Sequence, residues 1–498
     1  MKISFVIPSY NSAPHLVQGL TFLASQQLDQ ELEMEVIVVD DGSSDGTKEA
    51  VESFRDQFQT LLYVFRPRDE LSNRARARNK GLEQASGDLI CFLDAGIVVP
   101  STFAKGIAAR YATQTPAVSR VVLLHVIYGV PLDTDRNGLS AIENLNPYNF
   151  QQWVEHNKDA SIWQDFREPT FNMLRDRLDG LPAPWEFGLA GAITVPASLA
   201  RQVNGFDDTF MGWGTEDIEF AYRLYLAGAS FRGERQAYAL HLPHPTSLTE
   251  QKMLSDRNNR IRMHRKHYCM ETELFVYYQG LLIGPVLEKM HQLDLTHIWP
   301  ANKVSPLTLK EIRDNHVSGT SKSLLLGIEL PAIAKELNTT HVFTHRKKGY
   351  EQFIKELGDR ETFNLIGCDT PFTDQYFDVV IMSDYIRVFH PYIQRMLLQE
   401  LHRITRQLVW VHGDDQIPAW ASETLAEQNR IDVPSVLARF QPDIYIVSSG
   451  LRKGHLKERN YWSSVQDITQ LCSELNIPIH LVDIRSEKKV VGESIEVH

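Results

Sequence analysis

The sequence reads as an α/β protein built on two sheets, and three patterns say so. Short apolar runs alternate with helix-length segments from residue 1 to about 95, and polar or glycine-rich turns follow those runs directly. A second alternation of the same kind begins near Leu324. Short continuous runs of Val, Ile and Leu suit strands buried on both faces of a parallel sheet. At 498 residues the chain exceeds one ordinary core, so two or three domains are expected.

Taken in order, the first strands are expected at Ile3 to Ile7, Glu35 to Val39, Leu61 to Phe65 and Leu89 to Leu93. Three turns follow them: Pro8-Ser9-Tyr10-Asn11, Asp40-Asp41-Gly42-Ser43-Ser44-Asp45-Gly46 and Asp94-Ala95-Gly96. Open α/β sheets bind ligands at the carboxyl ends of their strands, so these polar groups should share one rim. Residues 97 to 185, with clustered Asn, Pro and Trp between Asn144 and Trp163, read as loops and helices that cover it.

Ile218, Ala221, Tyr222 and Tyr225 recur at helical spacing and predict a helix from Glu216 to Gly228, with Thr215 as its N-cap. Glu216 and Asp217 then occupy the first turn, where free N–H groups and the helix dipole favour an ionised carboxylate that can accept a proton. Acids are also common in first turns for that reason alone. Helix signals from about Leu248 to Leu295 lead into a linker through Pro300 and Pro306. The expected boundaries are therefore 1–245, a helical extension and linker over 246–315, and a second α/β domain over 316–498.

Composition narrows the class. Lys plus Arg number 51 against 63 Asp plus Glu, a net charge of −12, which argues against general nucleic-acid binding. The cysteines, Cys91, Cys269, Cys368 and Cys472, form neither a metal pair nor a disulfide framework, which suits a reducing cytoplasm. Met1-Lys2 runs straight into the first strand, without a signal peptide's apolar core. The longest apolar stretches, Val121 to Val130 and Leu274 to Leu287, are broken by His125 and Gln279 and fall short of a spanning helix, leaving peripheral attachment as the membrane option.

Five segments together resemble family 2 glycosyltransferases with the GT-A fold. Val6-Ile7-Pro8-Ser9-Tyr10-Asn11, Val38 to Thr47, Ala77-Arg78-Asn79-Lys80-Gly81 and Gly87 to Asp94 look like the nucleotide-sugar half, and Gly205 to Gly228 looks like the acceptor half. The acceptor half is closest to the galactosyltransferase-like and chondroitin-polymerase-like branch. The resemblance covers about residues 1 to 245.

It implies a nucleotide-sugar donor, UDP-linked in most such enzymes, held by Pro8, Ser9, Tyr10, Asp41, Arg78 and Asp94. Asp41 can accept the N3–H of uracil; an Asx turn or N-cap is its plainer role. Arg78 is the arginine of Arg74-Ala75-Arg76-Ala77-Arg78 best placed for the diphosphate. Asp94 is the expected ligand for Mn²⁺ or Mg²⁺. Many relatives carry a second acid two positions later, and here that position is Gly96. His241 or His244 offers a replacement ligand, His241 being preferred, and an imidazole leans the choice towards manganese.

By the same resemblance Asp217 is the base that deprotonates a saccharide hydroxyl, and Glu216 holds substrate hydroxyls. Trp213, flanked by Gly212 and Gly214, and Trp185 are acceptor platforms, or else core residues. The implied reaction is a direct displacement with inversion, the metal stabilising charge on the departing nucleotide.

In the second half, Phe372 to Met382, Glu400-Leu401-His402-Arg403-Ile404 and Leu408 to Val411 resemble the middle of class I methyltransferases. The first loop departs from that pattern. Leu324 to Pro331 holds one glycine, Gly327, and Val342-Phe343-Thr344-His345-Arg346 lacks the acid that binds a cofactor ribose. A degenerate, Rossmann-like module is expected. The rivals are a bifunctional enzyme that also methylates, and a scaffold that binds sugar nucleotides without turning them over.

Overall fold

The computed structural model describes residues 1–112, 119–129, 142–160, 162–243, 249–277, 283–292, 306–317, 322–345, 349–389, 391–412 and 465–483. The chain forms two compact units, the first ending at Asn259 and the second beginning at Arg260. That division falls within the helix Glu250–His267, past the expected end at residue 245.

The first unit holds a sheet of eight strands: β1 (Lys2–Ser9), β2 (Glu33–Asp40), β3 (Leu61–Phe65), β4 (Leu89–Leu93), β5 (Ile97–Val98), β6 (Val121–Tyr128), β7 (Ala192–Pro196) and β8 (Ser230–His241). Their spatial order is β3-β2-β1-β4-β7-β6-β8-β5. Strands β1 to β4 run parallel, whereas β7 is antiparallel to both β4 and β6. Alternate residues show why the strands read as continuous apolar runs. Ile3, Phe5, Ile7, Val36, Val38, Leu89 and Cys91 pack with Leu16, Leu20, Leu23 and Phe103 on one face. Val6, Ile37, Val39, Ile90 and Phe92, pointing the other way, are buried as completely.

The irregular segment before β7 is pinned by a buried ion pair. Arg167, fully buried, binds Asp165 and donates to the carbonyls of His125 (2.7 Å) and Phe187 (3.0 Å), while Asp165 accepts from Ile127 N (2.8 Å). An ion pair away from water persists only when its remaining valences are met, and here backbone groups of β6 and the 184–187 turn meet them. This fixes where the chain enters Ala190 and Gly191, beside the rim.

In the second unit the strands are β9 (Ser323–Leu326), β10 (His341–Phe343), β11 (Glu361–Phe363), β12 (Val379–Met382), β13 (Leu408–His412) and β14 (His480–Asp483). They form one sheet in the order β11-β10-β9-β12-β13-β14, every neighbour parallel. The strand expected at Ile444 to Val447 lies outside the described residues. The one expected from Ile477 begins at His480, after the helix Val465–Glu474. Among the described residues no helix is long and apolar enough to cross a membrane, and all four cysteines are free thiols.

Candidate active site

Parallel register brings the first three polar turns to one edge. Ser9 ends β1 opposite Asp40 of β2, which in turn pairs with Phe65 at the end of β3. The turns then bind each other: Asn11 N donates to Ser43 Oγ (2.9 Å), Ser44 N to Asn11 Oδ1 (2.9 Å), and Ala13 N to Asp45 Oδ2 (2.8 Å). Asp40, rather than Asp41, makes the Asx-type turn, accepting from Ser43 N at 2.7 Å. Asp41 is left free of that duty. Its carboxylate is instead held by two arginines that sequence reasoning passed over, Arg66 and, at 2.9 Å, Arg68. Both directly follow β3, so the strand-end rule applied there would have found them.

Tyr10 is 44% exposed, and the Arg68 guanidinium lies 3.6 Å from its ring centroid. Pro8 is partly exposed, and Ser9 Oγ is buried with no hydrogen-bond partner among the described residues.

At the centre of the rim one buried cation links the donor and acceptor segments. Arg78, 2% exposed, projects from the helix Arg74–Gln84 and donates to Asp94 Oδ1 at 2.9 Å and Glu216 Oε1 at 3.2 Å. Burial alone would weaken the guanidinium's charge, but the carboxylates of Asp94, Glu216 and Asp217 outweigh that and raise its pKa. Asp94 shows the complement: burial pushes it up, while Arg78, Arg74 and His241 hold it below the usual carboxylate value. Asn79, the next residue on the helix, ties the halves mechanically. Its amide accepts from Phe206 N (2.7 Å) and donates to Phe206 O (2.8 Å).

Asp217 sits in the first turn of the helix Glu216–Leu226, as the spacing predicted. Its carboxylate accepts from Ile218 N (2.9 Å) and Ala190 N (3.3 Å). Loss of water and repulsion from Glu216 push it up to about 7, against the opposing pull of Arg78. A carboxylate poised there is half charged near neutral pH and matched to general-base work.

Thr215 stands where the N-cap was expected but does not cap. It holds a left-handed φ of 74° and gives its hydroxyl to Asp256 Oδ1 at 2.8 Å. For a β-branched residue that backbone costs about 1–2 kcal/mol, so the loop is held in place against its own preference.

Trp213 is partly exposed on this loop and Gly212 is exposed beside it. Trp185 is different. It is fully buried, edge-on to Tyr222 at 5.0 Å between ring centroids, and offers no face to a sugar. Its sequence context, between two prolines and a buried Phe187, marked it as core as readily as platform.

His241 ends β8 opposite Ile97, and Leu242 N donates to Gly96 O at 2.8 Å, so the imidazole belongs to the same edge as Asp94. His244 lies outside the described residues. A Cβ added to Gly96 meets no heavy atom within 4 Å, so the position of the missing acid is open. Among the described residues no three His, Cys, Asp or Glu side chains gather as a ready-made metal cage. The donor set fits an ion that takes most of its ligands from a diphosphate and water, with one carboxylate and one imidazole from the protein.

Comparison with known proteins identifies the family. Residues 4–163 match the family model described as glycosyl transferase family 2, and 181–245 match the one described as the N-terminal domain of galactosyltransferase. The validoxylamine A glucosyltransferase of Streptomyces hygroscopicus subsp. jinggangensis is 30% identical over 421 residues, 82% of this chain and 96% of the relative. Chondroitin synthase of Escherichia coli is 27% identical over 266 residues, 52% of this chain and 38% of that protein. Among solved structures, Staphylococcus aureus TarS 1–349 with UDP-GlcNAc is 20% identical with a TM-score of 0.35, covering 53% of this chain and 67% of the other. The chain belongs to glycosyltransferase family 2. It is an enzyme of sugar transfer.

Proposed function

We propose that this enzyme moves a sugar from a UDP-linked donor to a hydroxyl of a saccharide or glycoconjugate, with inversion and with a divalent ion, Mn²⁺ or Mg²⁺. The observation that carries the reading is the chain Asp94–Arg78–Glu216 with Asp217 beside it. One buried cation thus holds both Asp94, the expected metal ligand, and Glu216, the neighbour of the expected base. Tyr10 supplies an aromatic face for the nucleobase, Asp41 with Arg66 and Arg68 the polar edge, and Asp94 with His241 the ligands for an ion on the diphosphate. Such an ion, when bound, stabilises charge on the leaving nucleotide. Asp217 takes the acceptor proton as the new bond forms, Glu216 steadies hydroxyls, and Trp213 lends the acceptor an apolar face.

The relative named for one acceptor matches over 82% of this chain, whereas chondroitin synthase matches over 52% of it. That supports a single transfer to a discrete acceptor over repeated polymerisation. The second unit is then a Rossmann-like module that has given up methyl transfer. Its strand order is that of a doubly wound sheet, but the loop after β9 is filled from within. Ser383 Oγ donates to Gly327 O at 2.7 Å, and the buried Tyr385 packs directly on Gly327. A cytoplasmic location, with peripheral membrane attachment allowed, fits the free thiols.

Thermal shift with UDP-glucose, GDP-glucose and UDP-GlcNAc, each with and without Mn²⁺, tests the donor assignment, since a ligand of the folded state raises its melting temperature. A UDP-sugar that acts only with Mn²⁺ and releases UDP on incubation supports it. Stabilisation by GDP-glucose alone, or by none, sinks it.

A further inference from the structure

Both family matches end by residue 245, yet the loop that carries Trp213 is held by the helix beyond them. Ser255, Asp256 and Asn259 are spaced to share one face of the helix Glu250–His267. Asn259 Nδ2 donates to the carbonyls of Met211 (3.0 Å) and Gly214 (2.8 Å). Ser255 Oγ accepts from Trp213 N (2.8 Å) and donates to Met211 O (3.3 Å), and Asp256 takes the Thr215 hydroxyl. Gly212 and Gly214, at φ of 77° and 93°, lie so close that an added Cβ would strike Ser255 Oγ and Asp256 Oδ1 respectively. The loop thus has little conformation of its own. Left-handed backbone at 212, 214 and 215 persists because the helix satisfies the polar groups that such a path leaves over.

We propose that Ser255, Asp256 and Asn259 are positioning residues for the transfer reaction, holding the Met211–Thr215 loop so that Trp213 faces the acceptor and the Glu216–Asp217 turn faces the donor. The proposal rests on the reading of Asp217 as the base. It does not follow from the motifs of either matched segment.

The test uses the full-length chain with UDP-glucose and Mn²⁺ as probe, reading hydrolysis to UDP and glucose, with amide exchange of the 211–215 segment as a second measurement. In Asp256→Ala and Asn259→Ala, kcat should fall by roughly 10- to 100-fold, as misplaced catalytic groups do, with KM for UDP-glucose within about twofold. Exchange at Trp213 should speed up. Asp256→Asn keeps an oxygen for the Thr215 hydroxyl and should restore most of kcat. The folded fraction, read by circular dichroism at the assay temperature, should stay at the parent's level, so the fall in kcat is not a loss of folded enzyme. Unchanged kcat in both alanine variants, or an Asp256→Asn variant no better than Asp256→Ala, overturns the proposal. A parent enzyme that hydrolyses UDP-glucose at a rate Asp217→Asn leaves unchanged overturns the underlying reading instead, a result distinct from either.

Discussion

Two parallel rims, one in each unit, start from the same architecture and end in opposite conditions. At the first, Ser9 Oγ and Arg78 Nε are buried without hydrogen-bond partners among the described residues, Tyr10 is exposed, and the Asp217 carboxyl is held far above its ordinary pKa. At the second, Glu329 accepts from the Thr344 hydroxyl (2.8 Å) and His345 N (2.6 Å), and His345 Nε2 bonds Tyr385 Oη at 2.6 Å with the rings stacked 4.6 Å apart. His345 shields Glu329 enough to hold its carboxyl below the usual value despite burial. Unmet polar capacity costs stability and persists where a ligand is to supply the partner; at the second rim Gly327 O and Glu329 find theirs within the chain, while His345 Nδ1 is also buried without one among the described residues.

The sharpest way to break this contrast is Asp217→Asn. It should abolish sugar transfer, by roughly 100- to 10,000-fold, while UDP binding measured by calorimetry stays near parent, because the amide cannot accept a proton. Near-normal transfer by a folded variant would remove Asp217 from the base role.

Next in size is pH. With Asp217 raised to about 7, kcat/KM should rise through that pH and fall about tenfold per unit below it, as the base becomes protonated. Stability should run the other way. The folded state keeps this proton up to about 7 whereas the unfolded chain releases it near 3.9, so stability drains as pH rises across that window, and Asp217→Asn removes the drain. A pH-independent kcat/KM between 5 and 8 contradicts the assignment.

Asp94→Ala and His241→Ala should each weaken Mn²⁺-dependent UDP binding about tenfold, since few protein ligands remain to share the ion. UDP affinity indifferent to EDTA in the parent rules out the metal. If His241→Ala alone changes nothing, His244 becomes the ligand.

At the filled rim, Gly327→Ala meets both a φ of +71° and the Tyr385 side chain. It should cost roughly 2–4 kcal/mol in urea unfolding. S-adenosylmethionine should give no calorimetric signal with the parent protein. Saturable micromolar binding, lost in Gly327→Ala, would restore the bifunctional reading.

Much of the first rim was legible because its parts are local. Strand ends with polar turns and helix starts announce themselves by period and punctuation, and Asp41, Asp94, Glu216 and Asp217 stood beside such marks, whereas Arg78, inside a helix, was marked by the family resemblance. What escaped depends on long-range packing. Nothing near Asn79 says that its amide will clasp Phe206, and Ser255, Asp256 and Asn259 lie on a polar helix with no motif. Thr215 has the right residue type for a cap, yet its hydroxyl follows Asp256. Trp185 shows the converse: an aromatic beside a functional segment, placed in the core by Tyr222, a partner 37 positions away.

Arg78 has one further consequence. A single guanidinium neutralises Asp94 on one side and Glu216 on the other, so the two carboxylates draw on the same charge. Whatever changes the demand at Asp94, including a cation arriving with the donor, changes what remains for Glu216 and hence the proton affinity of Asp217. Linkage runs both ways, so Asp217 protonation and donor binding share one coupling free energy, and the near-parent UDP binding expected of Asp217→Asn sets it small. Donor affinity is therefore expected to drift only slightly with pH around neutrality, within the limit that Asp217→Asn sets.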